Sequence, residues 1–223
     1  MKTKIRNYII FSIIIFLLFV ILTLALMFID IEPIGPDGSA VGLARINGSV
    51  SEFIGFDMLW YEITDWLGIA AFLTALIFAV IGMIQYIKRK SIRKVDFKIL
   101  SLGLFYVIVI LFYMFFEKCI INYRPVLING CLEASYPSSH TMIVIFIMST
   151  AIILAKRMVS NSMIRTIFEL LSLMVIMVTL IGRIISGVHW ITDIAGGLLL
   201  GSSLALTFYT VVVFTGYKHK KVP

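Results

Sequence analysis

The sequence is poor in charge, cysteine and chain-breaking residues. Only 14% of its 223 residues are Asp, Glu, Lys or Arg, against about 25% in a soluble globular chain. Two cysteines, Cys119 and Cys131, are too few for a metal cluster or a disulfide framework. Both fall on the predicted outer side, 12 positions apart, as two free thiols or one disulfide. Prolines number five, and no internal repeat or low-complexity tract is visible. No carboxylate cluster suited to Mg²⁺ stands out. These shortages argue against a soluble domain, a repeat array and a metal-dependent site.

What the chain has is hydrocarbon. It is 61% hydrophobic, with a mean hydropathy of +1.05. The net charge of +7 could suggest nucleic acid. The basic residues, however, form short clusters between long apolar runs, which is the pattern of a polytopic membrane protein. An all-α bundle forming a single domain over residues 1–223 is therefore expected, with no nucleic-acid partner.

Six apolar runs read as bilayer spans, a full crossing taking about 20 residues at 1.5 Å each. They are Tyr8 to Ile29, Leu67 to Ile87, Ile99 to Phe116, His140 to Ala155, Ile167 to Ile185, and Trp190 to Phe214. The first is too long for a signal-peptide core and lacks a small-residue cleavage site, so it reads as a retained helix. The fourth is short, so either Lys156 and Arg157 snorkel or the turn before His140 dips below the surface.

Residues 30–65 differ in kind. Asp30, Glu32, Asp37, Glu52, Asp57, Glu62 and Asp65 face a single Arg45, and Pro33, Gly35, Pro36 and Gly38 break any helix early. Apolar residues return from Ala40 and end in Trp60, Tyr61 and Trp66. A short interfacial helix is expected there, its aromatics at headgroup level. Asn47-Gly48-Ser49 matches a glycosylation sequon.

Six spans put both termini on one side. Fifteen of the 19 Lys and Arg residues then fall on that face, which the positive-inside rule makes cytoplasmic. The exceptions are Arg45, Lys118, Arg124 and Arg183. Orientation does not explain these four, and three of them belong to polar motifs. Lys118 precedes Arg124-Pro125. Pro137-Ser138-Ser139-His140 opens the fourth span. Arg183, His189 and Asp193 join the fifth span to the sixth. The predicted topology gathers all three motifs at the outer interface, and ionisable groups at membrane depth are costly and usually functional.

The residue types suit a phosphate. Arg binds phosphate oxygens through a planar fork and Lys adds a point charge. Helix N-termini and the hydroxyls of Ser138 and Ser139 add donors. His189 and Asp193, at i and i+4, share a helical face, so the carboxylate can hold one ring nitrogen and leave the other to attack. His140 can protonate a leaving oxygen. Each residue also has a bland reading as a cap, a structural hydrogen bond or a headgroup contact. The ordered set at one face favours a site.

In these motifs the chain resembles the type 2 phosphatidic acid phosphatases, the PAP2 superfamily, whose signature runs Lys-x6-Arg-Pro, Pro-Ser-Gly-His, Ser-Arg-x5-His-x3-Asp. Lys118, Arg124, Pro125, Pro137, Ser138, His140, Arg183, His189 and Asp193 carry the resemblance in order. Ser139 stands where the family has Gly, and Gly182 where it has Ser. The resemblance implies a six-helix membrane lipid phosphatase with no cofactor. In it His189 would be the nucleophile, forming a phosphohistidine, Asp193 its orienting carboxylate, and His140 the general acid. Lys118, Arg124, Ser138, Ser139 and Arg183 would hold the phosphate. The expected substrate is a lipid phosphate or diphosphate at the extracytoplasmic face: phosphatidate, phosphatidylglycerol phosphate or undecaprenyl diphosphate. The alternatives are a non-catalytic phospholipid-headgroup binder or transporter, which needs no oriented imidazole, and haloperoxidase chemistry, whose relatives are soluble.

Overall fold

The computed structural model describes residues 2–219, with side chains over 3–215. Lys220 and Lys221 of the C-terminal basic cluster lie outside the described residues. Among those described there are seven α-helices and no strand longer than an isolated bridge. They are α1 (Lys2–Phe28), α2 (Ala44–Ile54), α3 (Met58–Arg89), α4 (Phe97–Lys118), α5 (Ser139–Met158), α6 (Ser162–Ser186) and α7 (Ile191–His219). All except α2 are long and apolar enough to cross a membrane. The sixfold span pattern and the short helix in the first connection are as expected from the sequence.

The core is built around α5, the most enclosed of the six spans. It packs on α7, α6 and α3. Small residues on α7 set the α5–α7 distance. A Cβ at Gly197 would lie 2.6 Å from the Ser138 carbonyl oxygen, and one at Gly201 would lie 2.7 Å from that of Met142. Close backbone approach of this kind replaces the hydrophobic driving force that helices lack in lipid. Tyr136, just before α5, stacks on Phe19 of α1 and shares a 2.8 Å hydrogen bond with Thr23. The turn into α5 is thus held by α1 on one side and α7 on the other. The helix itself runs past Lys156 and Arg157 to Met158, giving 20 residues, so the basic pair lies on its last turn.

Two of the boundaries that differ from expectation bear on the site. The second span starts at Met58, well before Leu67. Asp57 caps it, its Oδ1 accepting from the Trp60 backbone N–H at 3.2 Å. Asp65 therefore sits two turns inside a helix instead of in a polar loop. The last span starts at Ile191, so His189 precedes it and is not helical. The i, i+4 geometry expected for His189 and Asp193 does not apply. The backbone reverses at Gly187, whose φ of +63° is a left-handed conformation that glycine adopts without a Cβ penalty.

Helix α2 lies across the same end of the bundle. Asn47 is fully buried there. Its amide donates to the Gly42 carbonyl at 2.8 Å, and its Oδ1 accepts from Thr192 Oγ1 at 3.0 Å. A side chain so engaged has no room for a glycan, so the sequon is not a modification site.

Candidate active site

The residues between α4 and α5 form a small hairpin. Asn129 and Gly130 both have positive φ (+53° and +74°), and a bridge pairs Ile128 with Cys131. This is the Asn-Gly turn that closes a two-residue hairpin. It sets the register behind it. The Arg124 N–H donates to Glu133 O at 3.1 Å, and the Ser135 N–H to Asn122 O at 2.9 Å. The hairpin thereby sets Arg124 opposite Glu133 and Ser135 opposite Asn122. Trp190 ties it to the start of α7 through Nε1, which donates to Tyr123 O at 2.7 Å. Cys119 and Cys131 are exposed free thiols.

Asp193 is in the first turn of α7. Its Oδ2 reaches back to accept from the Trp190 N–H at 2.9 Å, the carboxylate half of a capping box. The same oxygen accepts from Ser135 Oγ. Ser135 Oγ in turn lies 3.0 Å from His189 Nδ1, whereas that nitrogen is 3.8 Å from Asp193 Oδ2. A hydroxyl is therefore inserted between the histidine and its carboxylate. A carboxylate only accepts, so Ser135 donates to Asp193 and accepts the Nδ1 proton of His189. That leaves Nε2 of His189 as a bare lone pair, without a partner among the described residues. His189 is 6% exposed. Burial pushes its proton affinity well below that of an ordinary histidine, and the nearby Arg124, Arg183 and His140 push it further. The ring is neutral and oriented, as a nucleophile must be.

The cations surround it. Arg183 is completely buried, with its guanidinium 5.1 Å above the Tyr61 ring. Its Nη2 pairs with Asp65 Oδ1, while Nε and Nη1 have no partner. Arg124 pairs through Nε with Glu133 at 3.2 Å and leaves Nη1 free. His140 Nε2 lies 3.2 Å from the same Asp65 oxygen, and its Nδ1 is free. Arg124, Arg183 and both histidines are within electrostatic reach of one another. Ser138 is buried. Its N–H donates to Asp193 O at 3.0 Å and its Oγ accepts from Thr141 at 3.1 Å. Ser139 is half-buried and lines a cleft with Ser135, His189 and Glu117.

Residues 115–217 match the family model of the PAP2 superfamily. The matched stretch holds Arg124 and the two later motifs. The whole fold is similar to the crystal structure of a transmembrane PAP2 type phosphatidylglycerolphosphate phosphatase from Bacillus subtilis. That similarity has a TM-score of 0.58 at 20% identity, covering 95% of this chain and 97% of that one. No curated protein matches significantly.

Within the matched stretch, Arg124, Ser138, Ser139, His140, Arg183, His189 and Asp193 gather at one end of the bundle. Lys118 is different. Its side chain is exposed, and among the described residues no hydrogen bond or ion pair ties it to the others. The spacing agrees with this. Five residues separate Lys118 from Arg124, whereas the family's Lys-x6-Arg-Pro leaves six, so Glu117 occupies the register of the family lysine. Glu117 also lines the cleft. Lys118 thus lacks both the register and the contacts expected of a phosphate ligand.

Two polar residues of the cluster escape the motif reading. Ser135 carried no signal beyond the Asn129-Gly130 hairpin that places it. Asp65 was hidden by the acidic, aromatic run before it. The signal that could have found it is Asp57 as an N-cap ahead of a long apolar run.

Proposed function

We propose that the protein is a lipid phosphate phosphatase that works through a phosphohistidine at the extracytoplasmic face. The observation that carries this reading is a set of buried polar atoms without partners around a neutral, oriented imidazole. These atoms are Nε2 of His189, Nε and Nη1 of Arg183, and Nη1 of Arg124. Unsatisfied buried donors are rare and call for a ligand. Guanidinium edges call for an anion with several oxygens. A site that only bound phosphate would gain nothing from a lone pair held ready to attack.

In the first step His189 Nε2 bonds to phosphorus and the bond to the leaving oxygen breaks. His140 supplies the proton that oxygen takes up. Arg183 and Arg124 hold the charge on the equatorial oxygens. The positive charge formed on the His189 ring spreads through Nδ1–H and Ser135 to Asp193. In the second step His140, now neutral, takes a proton from water as its oxygen attacks phosphorus. The P–N bond breaks, and inorganic phosphate leaves.

A groove of about 330 Å³ between α3, α4 and α5 supports a lipid substrate. It is lined by Ile69, Phe72, Ile143 and Val144 on the apolar side and by His140 and Ser139 at its polar end. The position of 15 of the 19 basic residues supports an extracytoplasmic site. The decisive assay is phosphate release by purified protein from phosphatidate, phosphatidylglycerol phosphate and undecaprenyl diphosphate in one detergent. Release from at least one, lost in His189→Ala, is expected. Equal release by the variant would overturn the mechanism.

A further inference from the structure

One face of α3 closes the site. Tyr61, Thr64, Asp65 and Gly68 recur at helical spacing, and each packs against a residue of α5 or α6 at the site. Tyr61 lies under the Arg183 guanidinium. Asp65 Oδ1 meets both Arg183 Nη2 and, at 3.2 Å, His140 Nε2. Gly68 leaves room for the His140 ring, since a Cβ there would lie 3.0 Å from its Cδ2. The fourth contact is at Gly182, where the family signature has Ser. A Cβ at 182 would lie 2.6 Å from Thr64 Cγ2 and 3.0 Å from the Trp60 ring. Thr64 is fully buried, and its hydroxyl is bonded to the carbonyls of Trp60 and Tyr61, so it does not yield.

We infer that Asp65 is a positioning residue of this site, delivered by α3 because Gly182 lets that helix approach Arg183. The inference rests on the phosphatase reading. A single carboxylate oxygen fixes a guanidinium and an imidazole at once. It takes one corner of the Arg183 fork and leaves Nε and Nη1 for phosphate. It also occupies Nε2 of His140 and leaves Nδ1 as the nitrogen that gives its proton to the leaving oxygen. Asp65 itself neither bonds to phosphorus nor changes its proton count. Its charge balances Arg183, and the imidazolium when His140 is protonated. Placing a carboxylate on α3 also makes that helix a wall shared by the phosphate site and the apolar groove, which Asp65 and Gly68 line. The head of the lipid and its chain are then held by one element. The departure at 182 from the family signature is thus compensated: a hydroxyl on α6 is given up, and a carboxylate on α3 takes its place.

The test measures kcat, KM, orthovanadate inhibition and thermal melting for Asp65→Ala, Asp65→Asn, Gly182→Ser and His189→Ala in one detergent. Asp65→Ala should lower kcat by about 100-fold, the scale of a misplaced catalytic group. Orthovanadate, a phosphate mimic, should inhibit it as well as or better than the wild type, because the free edge of Arg183 remains. Asp65→Asn keeps an oxygen that accepts from both partners and should recover part of the loss. Gly182→Ser restores the family residue but forces α3 away, and should resemble Asp65→Ala. Wild-type kcat in Asp65→Ala would overturn the inference. So would loss of kcat, vanadate inhibition and melting temperature together, the mark of a merely structural residue. Wild-type kcat in Gly182→Ser would overturn the role given to Gly182. His189→Ala separates the two levels. If it still releases phosphate, the phosphatase mechanism has failed. If it is dead while Asp65→Ala is normal, only the role of Asp65 has failed.

Discussion

Ser135 Oγ stands 3.0 Å from His189 Nδ1 and spans the gap between that histidine and Asp193, whose own separation is 3.8 Å. The hydroxyl determines which nitrogen carries the proton. Hydrogen bonds to charged groups are worth about 1.5–3 kcal/mol. Ser135→Ala should therefore lower kcat roughly 10- to 100-fold, as follows from about 1.4 kcal/mol per tenfold. KM should hardly change, because Ser135 touches the nucleophile and not the cations. Ser135→Thr, which keeps the hydroxyl, should recover activity. Steady-state kinetics of the three proteins decide it, and wild-type kcat in Ser135→Ala would remove the bridge from the mechanism.

The protonation of His189 sets the acid limb of activity. Burial, then Arg124, Arg183 and His140, hold its proton affinity below the ordinary histidine value. The nucleophile stays unprotonated as pH falls through about 6.5, and the acid limb of kcat/KM should lie lower. Removing a neighbouring cation makes protonation easier. Arg124→Gln should therefore move that limb to higher pH, besides weakening substrate binding. A limb that stays put or moves to lower pH would contradict the electrostatic account.

Lys118 and Glu117 offer a direct contrast. Lys118 is exposed and tied to no cluster residue, whereas Glu117 lines the cleft at the register of the family lysine. Lys118→Ala should change kcat/KM by less than about threefold. Arg183→Ala, which removes the guanidinium edge offered to the phosphate, should cost at least about 100-fold in kcat/KM, the scale of a lost charge-stabilising donor. Glu117→Lys should lower KM by exchanging a repulsive charge for an attractive one. A severe loss in Lys118→Ala would show that the lysine reaches the phosphate after all.

Asn47 fastens α2 to the first turn of α7 through Thr192. Asn47→Ala removes its three side-chain hydrogen bonds and strands the Gly42 carbonyl. It should cost about 1–3 kcal/mol, read as a lower melting temperature in detergent. Expression in a glycosylating host should leave the mass of the wild type unchanged, because Asn47 is enclosed.

The sequence by itself determined the six spans, the short helix in the first connection and the three motifs. Apolar runs and charge clusters are local, and a bilayer turns run length directly into helices. His140, Arg183, His189 and Asp193 were legible for the same reason: each lies at the end of such a run. Only the tertiary structure decided what stands between them. Ser135 meets His189 across 54 positions, and Asp65 meets Arg183 across 118. The first contact depends on the register of a hairpin closed by Asn129 and Gly130. The second depends on how closely α3 approaches α6 over Gly182. Neither distance is written in the spacing of the motifs, because both are set by packing between elements far apart in the chain.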